Sequence, residues 1–208
     1  MTDERASQGP LYRLMEEHRH IAQVACGLEV LAWRCESRGV LDLEAAREIV
    51  AFFQGYLARF HEPKEEHHLY PRAERRGILR EGGLIATMYR EHEEGHRLVA
   101  ELARIVEAPR RTPTGSAADF AARARRYLRL LRDHIDKEDH CLYAMVQDVL
   151  TPADMSELGP IFDSFETLDL GGGIATAYVD RARRLADRLG VRRERRRAGQ
   201  GEWASGMY

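Results

Sequence analysis

The chain has 208 residues, 44% of them hydrophobic and 32% charged, with a formal net charge of −2. This is globular material, enough for one sizeable core or two small ones, and so even a charge balance gives no reason to expect a nucleic acid or a membrane surface as partner. The opening MTDERASQGP has no apolar stretch for a signal peptide, no later run approaches the roughly 20 apolar residues that span a bilayer, and Cys26, Cys35 and Cys141 form no CxxC pair, so a cytoplasmic chain with reduced thiols is expected.

Residues 1–9 read as a disordered start. From Pro10 to about Ser37 the apolar residues Leu11, Leu14, Ile21, Ala25, Leu28 and Ala32 keep the three-then-four rhythm of a helix with one buried stripe, and proline suits its first position. A second helix starts near Leu43 with Val50, Phe53, Leu57 and Phe60 on its stripe. It enters the segment HEPKEEHHLYP, where Pro63 is expected to bend it and Pro71 to help end it. A third, about 84–108, carries Ile85, Met88, Val99, Leu102 and Val106. A fourth, about 116–150, carries Phe120, Ala124, Tyr127, Leu131 and Met145. The fold class this predicts is all-α: an up-down-up-down four-helix bundle over 10–150. Two shorter helices are expected over 151–190 as a C-terminal appendage, before an Arg-rich flexible tail at 191–208.

Histidines fall on the buried stripes. His18 fills the gap between Leu14 and Ile21, His61 continues from Leu57, His92 lies between Met88 and Val99, and His134 follows Leu131. One turn beyond the second and fourth of these, Glu65 and Glu138 also face inward.

The pattern repeats. HEPKEEHHLYPRA at 61 and HIDKEDHCLYAMV at 134 agree at His, Lys, Glu, an acidic residue, His, Leu and Tyr without a gap, and EEHRH around His18 resembles REHEEGH around His92. His18 precedes His61 by 43 residues and His92 precedes His134 by 42. One helical hairpin is used twice, each copy offering His and then His-x-x-x-Glu, which implies two half-sites about a pseudo-twofold axis.

Burying carboxylates and imidazoles in an apolar bundle costs several kcal/mol unless opposite charge compensates, and no basic residue shares these stripes. Cations are the expected compensation. Imidazole with carboxylate and no thiolate suits iron, manganese or zinc, with iron favoured where two carboxylates can bridge two ions. A ferritin-like arrangement would need Glu-x-x-His pairs on two helices. Glu17/His20, Glu65/His68 and Glu93/His96 have that spacing, but the fourth helix lacks one and His20 lies off its stripe.

EEHRHI with His18, FHEPKEEHHLYP with His61 and Glu65, REHEEGH with His92, and DHIDKEDHCLY with His134 and Glu138 together resemble the signature of the hemerythrin-like (HHE cation-binding) domains over about 11–148. The resemblance implies a non-haem di-iron centre within a four-helix bundle: two iron ions, oxo- or hydroxo-bridged, held by these six residues. It further implies O2 binding or sensing, or an enzyme acting on peroxide or nitric oxide, or a part in iron homeostasis. Metal buffering or a structural metal is the remaining alternative.

Two terminal His per iron with two bridging Glu and a bridging hydroxide leave one position open on each ion. His96 matches the HxxxH of the oxygen-carrying hemerythrins and is a candidate additional ligand, but its repeat counterpart is Ala22, so a role behind the ligands or lining the pocket is the favoured reading. His68 and Cys141, each three residues after a bridging Glu, are expected on the inward face, His68 as a possible outer partner of the ligands. Glu62, Glu66 and His20 are expected to be solvated, and His67 and His140 to lie away from the ligand face.

Overall fold

The computed structural model describes residues 9–107, 113–169 and 173–191. Residues 1–8, the glycines at 171 and 172 and the Arg-rich segment beyond Val191, on which the expected disordered start, separating glycines and flexible tail fall, lie outside the described residues. Every regular element among the described residues is helical: α1 (Pro10–Arg38), α2 (43–75), α3 (Leu84–Glu107), α4 (113–149), α5 (152–169) and α6 (Ile174–Leu189). None of them is long and apolar enough to cross a membrane.

The helix ends follow from local chemistry. Pro10 takes the first position of α1, and Gly39 closes it in the left-handed conformation (φ 64°) that a β-carbon disfavours. Asp42 caps α2 by accepting from the Ala45 N–H. Thr151 and Asp154 form a reciprocal capping box at α5. Pro71 does not end α2. The helix runs on to Arg75, because proline near the start of a new turn needs no donor there, and it stops where Gly77 (φ 103°) lets Ile78 N–H reach the Ala73 carbonyl. The fourth helix likewise begins at Pro113, three residues before the expected start.

Two apolar clusters form the core. One gathers Ile21 to Cys35 of α1, Ala45 to Phe60 of α2, Leu98 to Val106 of α3 and Ala117 to Ile135 of α4. The other gathers Leu11 and Leu14, Leu69 to Ala73, Ile85 and Met88, and Leu142 to Leu150. α1 and α3 thus run from the second cluster to the first, and α2 and α4 run back. All six histidine and glutamate positions singled out above fall in the layer between the clusters.

The C-terminal helices join the same cores. Leu158 and Phe162 of α5 belong to the second cluster, and Ala182, Leu185 and Leu189 of α6 to the first. α6 lies close on α2 because residue 55 is glycine: a β-carbon there would run into the Tyr178 hydroxyl.

Candidate metal centre

π-helical turns set the register around the centre. In α2 they cover Phe53–His61 and Glu65–Leu69, on either side of the short segment Glu62–Lys64 that holds Pro63; in α4 one covers Glu138–Leu142. The turns at Glu65 and Glu138 are repeat equivalents, and only the first has prolines beside it, so proline is not what they require. Each closes with a hydrogen bond five residues long, from Tyr70 N–H to the Glu65 carbonyl and from Tyr143 N–H to the Glu138 carbonyl. The extra residue per turn shifts everything after the glutamate by one position. Tyr143 and Val146 are therefore buried, whereas Cys141 and Met145, both expected inside, are exposed. By the same shift Tyr70 faces inward, while half-buried His68 rests its ring near Phe162 and Phe165.

Two groups of ligand-capable atoms lie within 4.8 Å: His18, His61, Glu65 and Glu138 in one, and His92, His134 and Glu138 in the other. All six residues are buried. The histidines meet in pairs, His18 Nε2 3.0 Å from His61 Nε2 and His92 Nε2 3.1 Å from His134 Nε2. Each glutamate offers one oxygen to both pairs. Glu138 Oε2 is 3.2 Å from His18 Nε2 and 3.2 Å from His134 Nε2, and Glu65 Oε2 is 3.5 Å from His61 Nε2 and 3.7 Å from His92 Nε2. None of these approaches is aligned as a hydrogen bond to the carboxylate, and both Oε2 atoms are buried without a hydrogen-bond partner. Two orphaned oxygens and four converging ring nitrogens are a donor set that divalent cations fit.

The other oxygen of each glutamate is fixed from across the centre. Tyr70 Oη donates to Glu138 Oε1 at 2.5 Å, and Tyr143 Oη donates to Glu65 Oε1. Burial first, and then the neighbouring carboxylates, keep both phenols protonated by raising them well above the usual tyrosine range. They therefore remain donors.

Every histidine is also held from behind. Nδ1 of His18 donates to Asp139 (2.8 Å), that of His61 to Glu17 (2.9 Å), that of His92 to Glu66 (2.6 Å) and that of His134 to Glu91 (3.1 Å). An ionised carboxylate only accepts, so a proton sits on each Nδ1, and a cation at the centre would find an Nε2 lone pair on every ring once any second proton is displaced. Glu66 is thus a partner of His92 rather than a solvated charge.

Lysines complete this outer layer. Lys64 Nζ donates to Glu17 Oε1 at 2.5 Å, and Lys137 Nζ to Glu91 Oε1 at 2.5 Å. The expectation that the buried groups have no basic partner on these stripes therefore needs correcting. Lys64 is fully buried, its charge lies over the Phe60 ring, and it also donates to Glu166 of α5 (2.7 Å), which in turn accepts from Arg13 (2.8 Å). The C-terminal segment so reaches His61 through Glu166, Lys64 and Glu17. Removing that support should weaken the nearer half: Glu17→Gln is expected to lower metal affinity there by roughly 10–100-fold. Competition with a chelator measures it, and equal affinity for the variant would remove Glu17 from the design.

Electrostatics divide the buried groups into unlike partners. Burial lowers His61, whereas His18, although burial opposes it, is held well above its ordinary value by Asp139 and Glu138. Burial likewise opposes protonation of His134, but Glu138, Glu91 and Glu65 raise it to about 10. Burial and the neighbouring Glu138 raise Glu65, while Glu138 itself, despite its burial, is held low by His134 and His18. Positive charge is favoured between these atoms.

The remaining histidines lie outside the two groups. His96 places Nε2 2.5 Å from Glu62 Oε2, with half of its side chain exposed, and Glu62 is buried rather than solvated. His20 is half-buried, its ring edge-on to Tyr56, where solvent had been expected. His67 and His140 are exposed.

Comparison with known proteins agrees with this geometry. Uncharacterised proteins of Mycobacterium bovis and of two Mycobacterium tuberculosis strains are 18% identical over 178 residues, which is 86% of this chain and 69% of theirs. No solved structure matches the chain. The model of the hemerythrin HHE cation-binding domain matches residues 9–146, the span that carries all four histidines and both glutamates of the centre, and the chain belongs to that family.

Proposed function

We propose that the chain is a non-haem di-iron protein that binds O2 or a related small ligand. In this reading α1 to α4 form an up-down-up-down four-helix bundle, with 151–190 as an appendage, and the alternating direction of the helices between the two apolar clusters supports it. His18 and His61 would hold one ion, His92 and His134 the other, and Glu65 and Glu138 would serve both. The observation that carries this is the shared carboxylate oxygen: Glu138 Oε2 stands at the same 3.2 Å from one histidine of each pair.

Two ferrous ions, when bound, would supply electrons to an oxygen- or nitrogen-containing ligand. The chain's own residues do the rest. Tyr70 and Tyr143 keep the bridging carboxylates from rotating, the four outer carboxylates fix the imidazole tautomers, and the apolar clusters on both sides exclude bulk water. An enzyme acting on peroxide or nitric oxide would use the same residues.

Anaerobic loading with ferrous iron, a metal count, and optical spectra under O2, nitric oxide and peroxide test the reading. Up to two irons per chain and a reversible spectral change with O2 are expected. A single iron retained by both His61→Ala and Glu138→Ala would overturn it. Steady consumption of peroxide or nitric oxide would transfer the assignment to the enzyme.

A further inference from the structure

The two halves of the centre have unlike outer walls. The repeat register that pairs His18 with His92 and His61 with His134 also pairs Ile21, Ala22 and Ile135 with Gly95, His96 and Glu62. The first three are buried apolar residues. Where they close the His18/His61 half, the His92/His134 half has a glycine and a polar pair.

The difference opens space. A cavity of about 20 Å³ lies against His92 and His134, walled by Leu57, Glu62, Gly95 and Tyr127 among others. A cleft of about 450 Å³ shares those four residues and extends outward past Arg59 and His96. The inner cavity has room for about one water-sized group, since ~10–15 Å³ on this measure suffices for one. Tyr127 is 1% exposed, yet its hydroxyl has no hydrogen-bond partner. A buried donor left unmatched beside a cavity is ready for a ligand that accepts.

We propose that small ligands reach the centre from one side only, through this cleft, and bind at the His92/His134 half with the Tyr127 hydroxyl as their hydrogen-bond donor and the Glu62–His96 pair as a polar lid. The ligand class is a small molecule or anion of two or three heavy atoms whose terminal atom accepts a hydrogen bond. This rests on the metal reading above. It gives His96 a place at the entrance rather than on a metal.

Azide binding to the ferric, full-length protein, followed by its optical spectrum, is the test. A β-carbon at Gly95 would meet Tyr127 Cε2 at an ordinary 3.7 Å, so the backbone accepts a side chain there and a larger one fills the cavity. Gly95→Ile, which copies the wall of the other half, is expected to slow azide association on the order of tenfold with iron content unchanged, within the range over which association rates vary among variants of one site. His96→Ala should speed association and also keep its iron. It decides the matter if Gly95→Ile does not fold. Unchanged rates in a folded Gly95→Ile and in His96→Ala overturn the proposal, and so does loss of iron from His96→Ala. A crystal structure of the metal-free protein separates the two readings. An ordered water bonded to the Tyr127 hydroxyl beside Gly95 in a chain that never holds iron sinks only the metal reading, and a dry, closed cavity there sinks the entry path.

Discussion

Glu138→Ala is expected to empty both metal positions, whereas His92→Ala is expected to empty one. Glu138 is common to both groups of ligand-capable atoms, and each histidine pair has one ring nitrogen 3.2 Å from its Oε2. Deleting it removes an anion from each half and also leaves the buried Tyr70 hydroxyl without its acceptor. The loss should exceed the roughly 10–100-fold that follows removal of an outer partner. His92→Ala takes one nitrogen from one pair and leaves His18, His61, Glu65 and Glu138 together. Iron counts on the reconstituted variants measure the contrast. Loss of equal size from the two variants would mean that Glu138 is not shared between the ions.

The inner residues were legible because each is the continuation of an apolar stripe. His18, His61, His92 and His134 stand where leucine or isoleucine would complete the pattern, and the repeat doubles the signal. The layer behind them was not legible by the same means. Glu17 and Glu91 immediately precede a histidine of the centre, about 100° away around the helix, where one-helix reasoning assigns solvent. Their partners are on the neighbouring helix: Glu17 serves His61, and Glu91 serves His134. A usable sign was present, since the repeat conserves between its two copies the lysine three residues after His61 and after His134 and the acidic residue at 66 and 139. Pairs retained in both halves of a pseudo-twofold site point to contacts across its axis.

Register after the glutamates was misread for another reason. Regular α spacing places Cys141 and Met145 inside; the π-helical turn at Glu138 puts Tyr143 and Val146 there instead. Nothing in the local composition announces that turn. What it achieves is visible only in three dimensions: it brings the tyrosine five residues after each glutamate to the oxygen of the opposite glutamate.

Metal removal is expected to lower the melting temperature by about 8–16 °C. A ligand present at 1,000 times its dissociation constant stabilises the folded chain by about 4 kcal/mol, and for a chain of this size each kcal/mol corresponds to roughly 2–4 °C. The figure takes one ion, so a second site filled independently would add to it. Structure explains why the effect should be large. The layer between the two apolar clusters contains the orphaned oxygens of Glu65 and Glu138 and four inward ring nitrogens, and without cations it must take up protons on Glu65 and on the facing histidines to offset its carboxylates. It also explains why the metal-free chain should still fold. Both clusters are complete without the centre, and the ion-pair chain from buried Glu17 and Lys64 to half-buried Glu166 and Arg13 ties α1, α2 and α5 together independently of metal. Thermal melts of the iron-loaded and chelator-treated protein at neutral pH measure the difference. Equal melting temperatures would mean that the buried histidines and glutamates satisfy one another, and the case for a cation at their centre would fall.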